Sequence, residues 1–123
     1  MPASIEIYVR DLTVESAEAW LTDQFGSVSQ VRTEPALTYE VEHEGETVRV
    51  FVAENIEGGA YTSLWFNGPS LPWDTSRACA RAAFDHLGHE VICDPEGYEQ
   101  DPWSMMRISD DGEERVDERD IEF

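Results

Sequence analysis

The sequence predicts an α+β fold, in which one domain, residues 1–123, forms a largely antiparallel sheet of about five to seven strands with two helices packed on one side. Three observations predict it. The 123 residues match the length of one ordinary domain. Most segments alternate apolar and polar residues, as half-buried strands do, and only two have the apolar spacing of a helix. The expected element order, β-α-β-β-β-β-α-β-β, is dominated by hairpins, which favour antiparallel pairing.

A change of apolar period separates the first strand from the first helix. Residues 4–10 alternate and predict a strand, and Thr13 suits the N-cap of the helix that follows. Four apolar residues then lie at i, i+3, i+7 and i+11: Val14, Ala17, Leu21 and Phe25. Gly26 ends this helix, and a short strand is expected around residues 28–31.

A hairpin over residues 37–52 has the clearest pattern in the chain. Apolar and polar residues alternate on both sides of Glu44–Gly45. If that pair is a two-residue turn, the apolar residues of the two strands face each other, and Glu40 faces Arg49 as an opposite-charge pair. A three-residue loop would shift the register by one and break every pair. The pattern therefore favours the two-residue turn.

The second half of the chain contains the other helix and the remaining strands. Residues 60–66 predict an aromatic-rich strand, and Asp74 or Thr75 caps a helix that runs to about Leu87. The elements expected next are a strand at 91–92, an acidic loop at 94–102, a strand at 103–109 and a turn at 110–112. Residues 113–123 are either a weak strand or a frayed tail.

The strongly negative charge excludes several classes of partner. The chain has 27 acidic residues, 8 arginines and no lysine, and its net charge is −19. A phosphate backbone or an anionic membrane surface would be repelled, so neither nucleic acid nor a membrane is expected as a direct partner. The chain begins without the basic and apolar regions of a signal peptide and has no apolar run of roughly 18 residues. We therefore expect a cytoplasmic protein with free thiols at Cys79 and Cys93.

The negative charge is concentrated at the two ends of the sequence. Residues 1–60 and residues 94–123 each carry 12 acids and 3 arginines, whereas residues 61–93 carry 3 acids and 2 arginines. Such a density of like charge destabilises a fold through self-repulsion. A basic partner protein, a salt-rich environment or ordinary solubility would each account for it. Solubility alone is served by a charge magnitude of about 2–8, well below the value here.

Motifs for metal binding or catalysis are sparse. Two cysteines and two histidines form a string of zinc-ligand types: Cys79, His86, His89 and Cys93. The short paired spacings of zinc sites are missing, and roughly 10 Å of helix separates Cys79 from His86, too far for a nucleophile and its base. Residues 94–101 have the composition of a calcium loop without the order of an EF-hand. We therefore expect no catalytic residue, no metal and no cofactor.

An acidic segment that contains aromatic residues is the predicted binding site. Trp103 stands between the acidic loop and the last strand, so an aromatic anchor there would be surrounded by carboxylates. The predicted contact residues are Glu96, Tyr98, Glu99, Asp101, Trp103, Asp110 and Asp111. The corresponding function is inhibition of a basic protein, most concretely by an immunity protein that neutralises a bacterial toxin through docking or nucleic-acid mimicry. The chain resembles immunity proteins in size and charge only.

Two other functions fit the same sequence. The neutral, aromatic middle of the chain is a candidate pocket for an enzyme or a small-ligand protein, lined by Trp65, Trp73, His86 and Cys79. Alternatively, the chain is a housekeeping domain of a salt-rich cytoplasm, where acidity says nothing about partners. The absence of lysine fits such an environment, and it also fits a genome that favours arginine codons.

Overall fold

A computed structural model describes residues 3–95 and 103–121, apart from the side chains of Ala3 and Glu57. They form one antiparallel sheet of eight strands with two helices. The strands are β1 (Ala3–Arg10), β2 (Ser29–Arg32), β3 (Leu37–His43), β4 (Glu46–Ala53), β5 (Tyr61–Gly68), β6 (Val91–Cys93), β7 (Ser104–Ser109) and β8 (Gly112–Asp117). The helices are α1 (Val14–Phe25) and α2 (Ser76–Leu87). The predicted α+β class is confirmed, with a strand number slightly above the predicted five to seven.

The additional strand is β8, which the sequence left open between a weak strand and a frayed tail. It pairs with β7 along its whole length, and Met105 faces Val116. A single 3-10 turn, Glu118–Asp120, follows it, and the Glu118 N–H donates to the Trp103 carbonyl oxygen at 2.6 Å. Because β8 is an edge strand with mostly exposed or half-buried side chains, it needs little apolar alternation. Its pattern in the sequence is therefore weak.

The first strand lies in the middle of the sheet. The strand order is β2-β3-β4-β5-β1-β6-β7-β8, so β1 separates a group of hairpins, β2 to β5, from a second group, β6 to β8. Helix α1 leads from β1 to the edge strand β2, and α2 leads from β5 across to β6. Helix α2 packs on β1, β6 and β7, while α1 packs on β3 and on α2. Both helices therefore cover the same face of the sheet, as predicted.

The helices begin at threonine caps. The Thr13 hydroxyl oxygen accepts the Ser16 N–H at 3.1 Å, and the Thr75 hydroxyl oxygen accepts the Ala78 N–H at 3.1 Å. Each bond satisfies one of the backbone donors that a helix leaves unpaired in its first turn. Of the two caps that the sequence allowed for α2, the structure has Thr75 and not Asp74.

The β3–β4 hairpin has the predicted register. Glu40 faces Arg49, and Arg49 Nε lies 3.4 Å from Glu40 Oε2. Glu44 and Gly45 have φ values of 52° and 80°, the left-handed pair of a two-residue type I′ turn. Glycine adopts such a φ without strain, whereas glutamate does so at a cost.

Replacing Glu44 with asparagine is expected to stabilise the protein by about 0.5–1 kcal/mol, because asparagine tolerates the left-handed region better than glutamate does. The exposed bond from the Ser70 hydroxyl to Glu44 Oε2, at 3.2 Å, adds little against this gain. Urea unfolding of E44N measures the effect. The control is E44Q, which removes the same charge but keeps a side chain of the same length. Equal stability of E44N and E44Q would contradict the role assigned to the turn.

The main core lies between the helices and the sheet. An aromatic cluster fills one end of it: Trp20, Phe25, Phe66 and Trp73. Trp73 stacks on Trp20 with ring centroids 5.6 Å apart and meets Phe66 edge to face at 5.1 Å. The indole N–H of Trp20 has no hydrogen-bond partner within the described residues, so ring packing holds this side chain. Beneath α2 the buried residues are small, and the helix lies close to the sheet: Cys79, Ala80 and Ala83.

A second apolar cluster lies on the opposite face of the sheet. Tyr61, Ile92 and Met105 are buried there, and Ile121 packs against them from the segment after β8. The described C-terminal segment therefore covers the β6–β8 half of this face.

Candidate protein-binding surface

Three of the seven predicted contact residues lie in the described part of the chain. Glu96, Tyr98, Glu99 and Asp101 lie outside the described residues. Trp103 has 44% of its surface exposed, and Asp110 and Asp111 are exposed in the β7–β8 turn. Strand β7 separates the tryptophan from the turn, a distance of roughly 20 Å at the rise of an extended strand. The structure therefore places these three residues at the two ends of one strand and not in one cluster.

Trp103 is engaged by a cation of its own chain. The Arg119 guanidinium carbon lies 5.0 Å from the centroid of the Trp103 ring. The same guanidinium bonds Asp117 through two nitrogens, at 2.9 and 2.6 Å. Hydrogen bonds from the Arg119 side chain and backbone lower the pKa of Asp117 to about 2. Arg119 therefore balances part of the negative charge around Trp103.

The face of the sheet opposite the helices, which we call the open face, carries a row of side chains across four strands. Thr38 faces Phe51, Phe51 faces Trp65, and Trp65 faces Glu6. The row continues toward Asp94. Ile7 pairs with Cys93 and the two strands are antiparallel, so Glu6, which precedes Ile7, lies opposite Asp94, which follows Cys93. Both α1 and α2 pack on the other face of the sheet.

An aromatic pair lies in this row, in which Trp65 is exposed and Phe51 is half-buried. The ring centroids of Phe51 and Trp65 lie 5.1 Å apart, and Trp65 has 39% of its surface exposed. The Trp65 indole N–H donates to the Ser4 hydroxyl at 2.6 Å, which fixes the ring on the sheet. Leu64, Trp65 and Phe66 are all apolar, so no alternation in the sequence marked Trp65 as the exposed residue among its buried neighbours. We call this region, formed by Ser4, Glu6, Arg49, Phe51, Trp65 and Asp94, the aromatic half of the open face.

Two carboxylates stand beside the aromatic pair without a cation. Tyr8 and Ser63 donate their hydroxyl hydrogens to the two oxygens of Glu6, at 3.0 and 2.6 Å. Burial and the neighbouring Glu6 charge raise the pKa of Asp94. No arginine in the described residues forms an ion pair with Glu6 or Asp94. This part of the open face therefore holds negative charge that nothing in the described chain neutralises.

The other half of the open face is internally paired. The Tyr61 hydroxyl donates to Glu90, and Arg10 and Arg107 each approach that carboxylate to 4.0 Å. Arg107 also pairs with Glu114. Burial and the bond to Glu90 raise the pKa of Tyr61 to about 12. Since Glu90 and Glu114 have arginine partners and Ile121 packs against the apolar cluster, this half is less suited to a basic partner than the aromatic half.

The alternative sites that the sequence raised do not assemble in the described part of the chain. Cys79 and Cys93 are buried in the core, while His86 is exposed on α2 and lies 3.6 Å from Asp23. Burial raises the pKa of the Cys79 thiol, which disfavours the nucleophilic thiolate. No group of three or more histidine, cysteine or acidic residues within residues 3–95 and 103–121 is arranged to hold a metal ion. Of the proposed calcium loop, residues 96–101 lie outside the described residues.

The aromatic middle of the sequence is divided between the two faces of the sheet. Trp73 packs into the core on the helix side, whereas Trp65 is exposed on the open face. The predicted pocket of Trp65, Trp73, His86 and Cys79 is therefore not formed, because Trp73 and Cys79 lie on the helix side of the sheet and Trp65 lies on the other side.

Comparisons with protein-family models, curated proteins and solved structures found no significant match. None of the helices in the described residues is both long and apolar enough to cross a membrane.

Proposed function

We propose that this chain is a small acidic binding protein that neutralises a basic protein partner, most concretely an immunity protein that inhibits a bacterial toxin in the cytoplasm. The observation that carries the proposal is the aromatic half of the open face, where exposed Trp65 lies in one row with two carboxylates that no arginine of the described residues neutralises. An aromatic anchor within a polar rim is the usual composition of a protein-binding hot spot. The net charge of −19 supports a partner that is basic.

The proposed mechanism is electrostatically steered docking that occludes the basic surface of the partner. The acidic surface accelerates encounter and repels other acidic proteins. The C-terminal acids, including Asp110 and Asp111, contribute to steering, and Phe51 and Trp65 form the centre that loses water on binding. Docking fits the open face better than nucleic-acid mimicry, because two aromatic rings, Phe51 and Trp65, occupy the middle of the row and the carboxylates of the described residues there do not form two continuous rows.

The test uses the proteins encoded beside this chain in its own genome. Each is produced in bacteria with and without the chain, and growth is measured. We expect one of them to be basic and growth-inhibiting, and co-production of the chain to restore growth. Calorimetry of the purified pair at 0.05 and 0.5 M KCl should show an affinity that falls by tenfold or more at the higher salt, because screening weakens the charge contacts. If neither neighbour inhibits growth, or if the chain fails to restore it, the immunity proposal is wrong.

A further inference from the structure

We propose that the aromatic half of the open face is the docking surface for an arginine-bearing segment of the basic partner, and that one arginine side chain is seated against Trp65, Glu6 and Asp94. This inference rests on the proposed function and specifies its contact. The three residues come from three adjacent strands, β5, β1 and the end of β6. Adjacent strands lie about 4.8 Å apart, so the indole and the two carboxylates span roughly 10 Å across the sheet.

The charges of this site fit a cation that the described chain does not supply. Glu6 and Asp94 are neighbours across the β1–β6 pairing, and like charges placed opposite each other destabilise a sheet. Arg49, on β4, pairs instead with Glu40 on β3, and its Nε lies 3.4 Å from Glu40 Oε2. A guanidinium from a partner would remove the repulsion between the two carboxylates. The relief of this repulsion would add to the favourable free energy of binding.

The positions of the side chains are set before the partner arrives. Each oxygen of Glu6 accepts one hydroxyl hydrogen, from Tyr8 or Ser63, and each retains a lone pair for a further donor. The Ser4 hydroxyl holds the Trp65 indole through its N–H. Preorganised groups lose less conformational entropy on binding, which favours affinity.

The chemistry of the site favours arginine over lysine. A guanidinium forms two parallel bonds to a carboxylate and stacks on an indole, whereas an ammonium does neither as well. The same chain already contains this arrangement once, since Arg119 lies over Trp103 while it binds Asp117 through two nitrogens. At Trp65 the tryptophan and the carboxylates are present, and the arginine would come from the partner.

The experiment titrates the complete ¹⁵N-labelled chain with a tri-arginine peptide and, separately, with a tri-lysine peptide of the same charge. We expect the arginine peptide to shift the indole N–H signal of Trp65, assigned with W65F, and to bind more tightly than the lysine peptide. E6Q and D94N should weaken its binding about three- to tenfold. Equal binding of the two peptides, or no shift of the Trp65 signal, would overturn the inference. It would also be overturned if Mg²⁺ or Ca²⁺ shifted the Trp65 signal as much as the arginine peptide does.

The matched control is E46Q, which removes the same charge from the hairpin, where Glu46 is exposed and outside the row. E6Q should fold normally, because hydroxyls accept as well as donate and so can bond the amide. Once the protein partner is identified, W65A and E6Q distinguish the proposed docking surface from the proposed inhibitor function. If the partner binds and D110N/D111N weakens it but W65A and E6Q do not, the docking surface is wrong while the inhibitor function stands. If no basic partner binds at any salt concentration, the function itself fails.

Discussion

Replacing Trp73 with alanine is expected to lower the free energy of unfolding by about 3 kcal/mol and the Tm by roughly 12 °C. Trp73 stacks on Trp20, meets Phe66 edge to face and lies 5.9 Å from Phe25. Removing the ring leaves a cavity in the aromatic cluster, because rigid neighbouring rings cannot collapse into it completely. Thermal and urea unfolding followed by circular dichroism measure the loss.

The matched control is Trp65→Ala, which deletes the same ring from the open face. Trp65 contacts Phe51 and Ser4 only at the surface of the sheet, and 39% of it is exposed. We expect W65A to cost about 1–2 kcal/mol, less than W73A, since part of the apolar surface of the ring already faces water. The comparison distinguishes a tryptophan needed for folding from one available for binding. Equal losses for the two variants would contradict the assignment of Trp65 to a binding surface.

Raising KCl from 0.05 to 0.5 M is expected to increase the Tm by roughly 5–10 °C, or about 1–2 kcal/mol of stability. The folded chain brings a net charge of −19 together, and several acids have no cation nearby in the described structure. The Debye length falls from about 14 to about 4 Å over this range, so repulsion beyond the nearest neighbours is largely screened. A melt series in KCl measures the effect.

A variant with four exposed acids changed to amides is the control for this series, at Glu42, Glu46, Glu54 and Asp110. It should melt higher than the parent at low salt and gain less from added KCl, because fewer charges remain to be screened. If the parent folds only in molar salt, its acidity reflects a salt-rich environment, and the basic-partner proposal loses its main support. Cooperative melting at low salt would leave the acid excess in need of a functional explanation.

Local patterns in the sequence were sufficient for most secondary structure. Thr13 begins α1 as predicted, and the Glu40–Arg49 pairing follows from the position of the two-residue turn. These features depend on residues close together in the chain, so neighbouring side chains decide them. The C-terminal strand was uncertain because an edge strand tolerates polar residues on both faces.

The candidate site was harder to predict, because its residues are distant in the sequence. Trp103 and the Asp110–Asp111 turn are close along the chain, yet a strand holds them apart. Glu6, Trp65 and Asp94 are far apart along the chain, yet they are neighbours across β5, β1 and the end of β6. Sequence proximity therefore failed as a guide to spatial proximity once strands paired out of chain order.

The sequence by itself determined the fold class, the two helices, the hairpin register and the excess of acid, since composition and apolar period carry this information. Only the tertiary structure decided which acids of the described residues lie without a cation nearby and which of the described aromatic rings are exposed. The reason is the insertion of β1 between β5 and β6, which places Glu6 between Trp65 and Asp94. Strand order depends on packing free energy summed over the whole sheet, so local patterns do not reveal it.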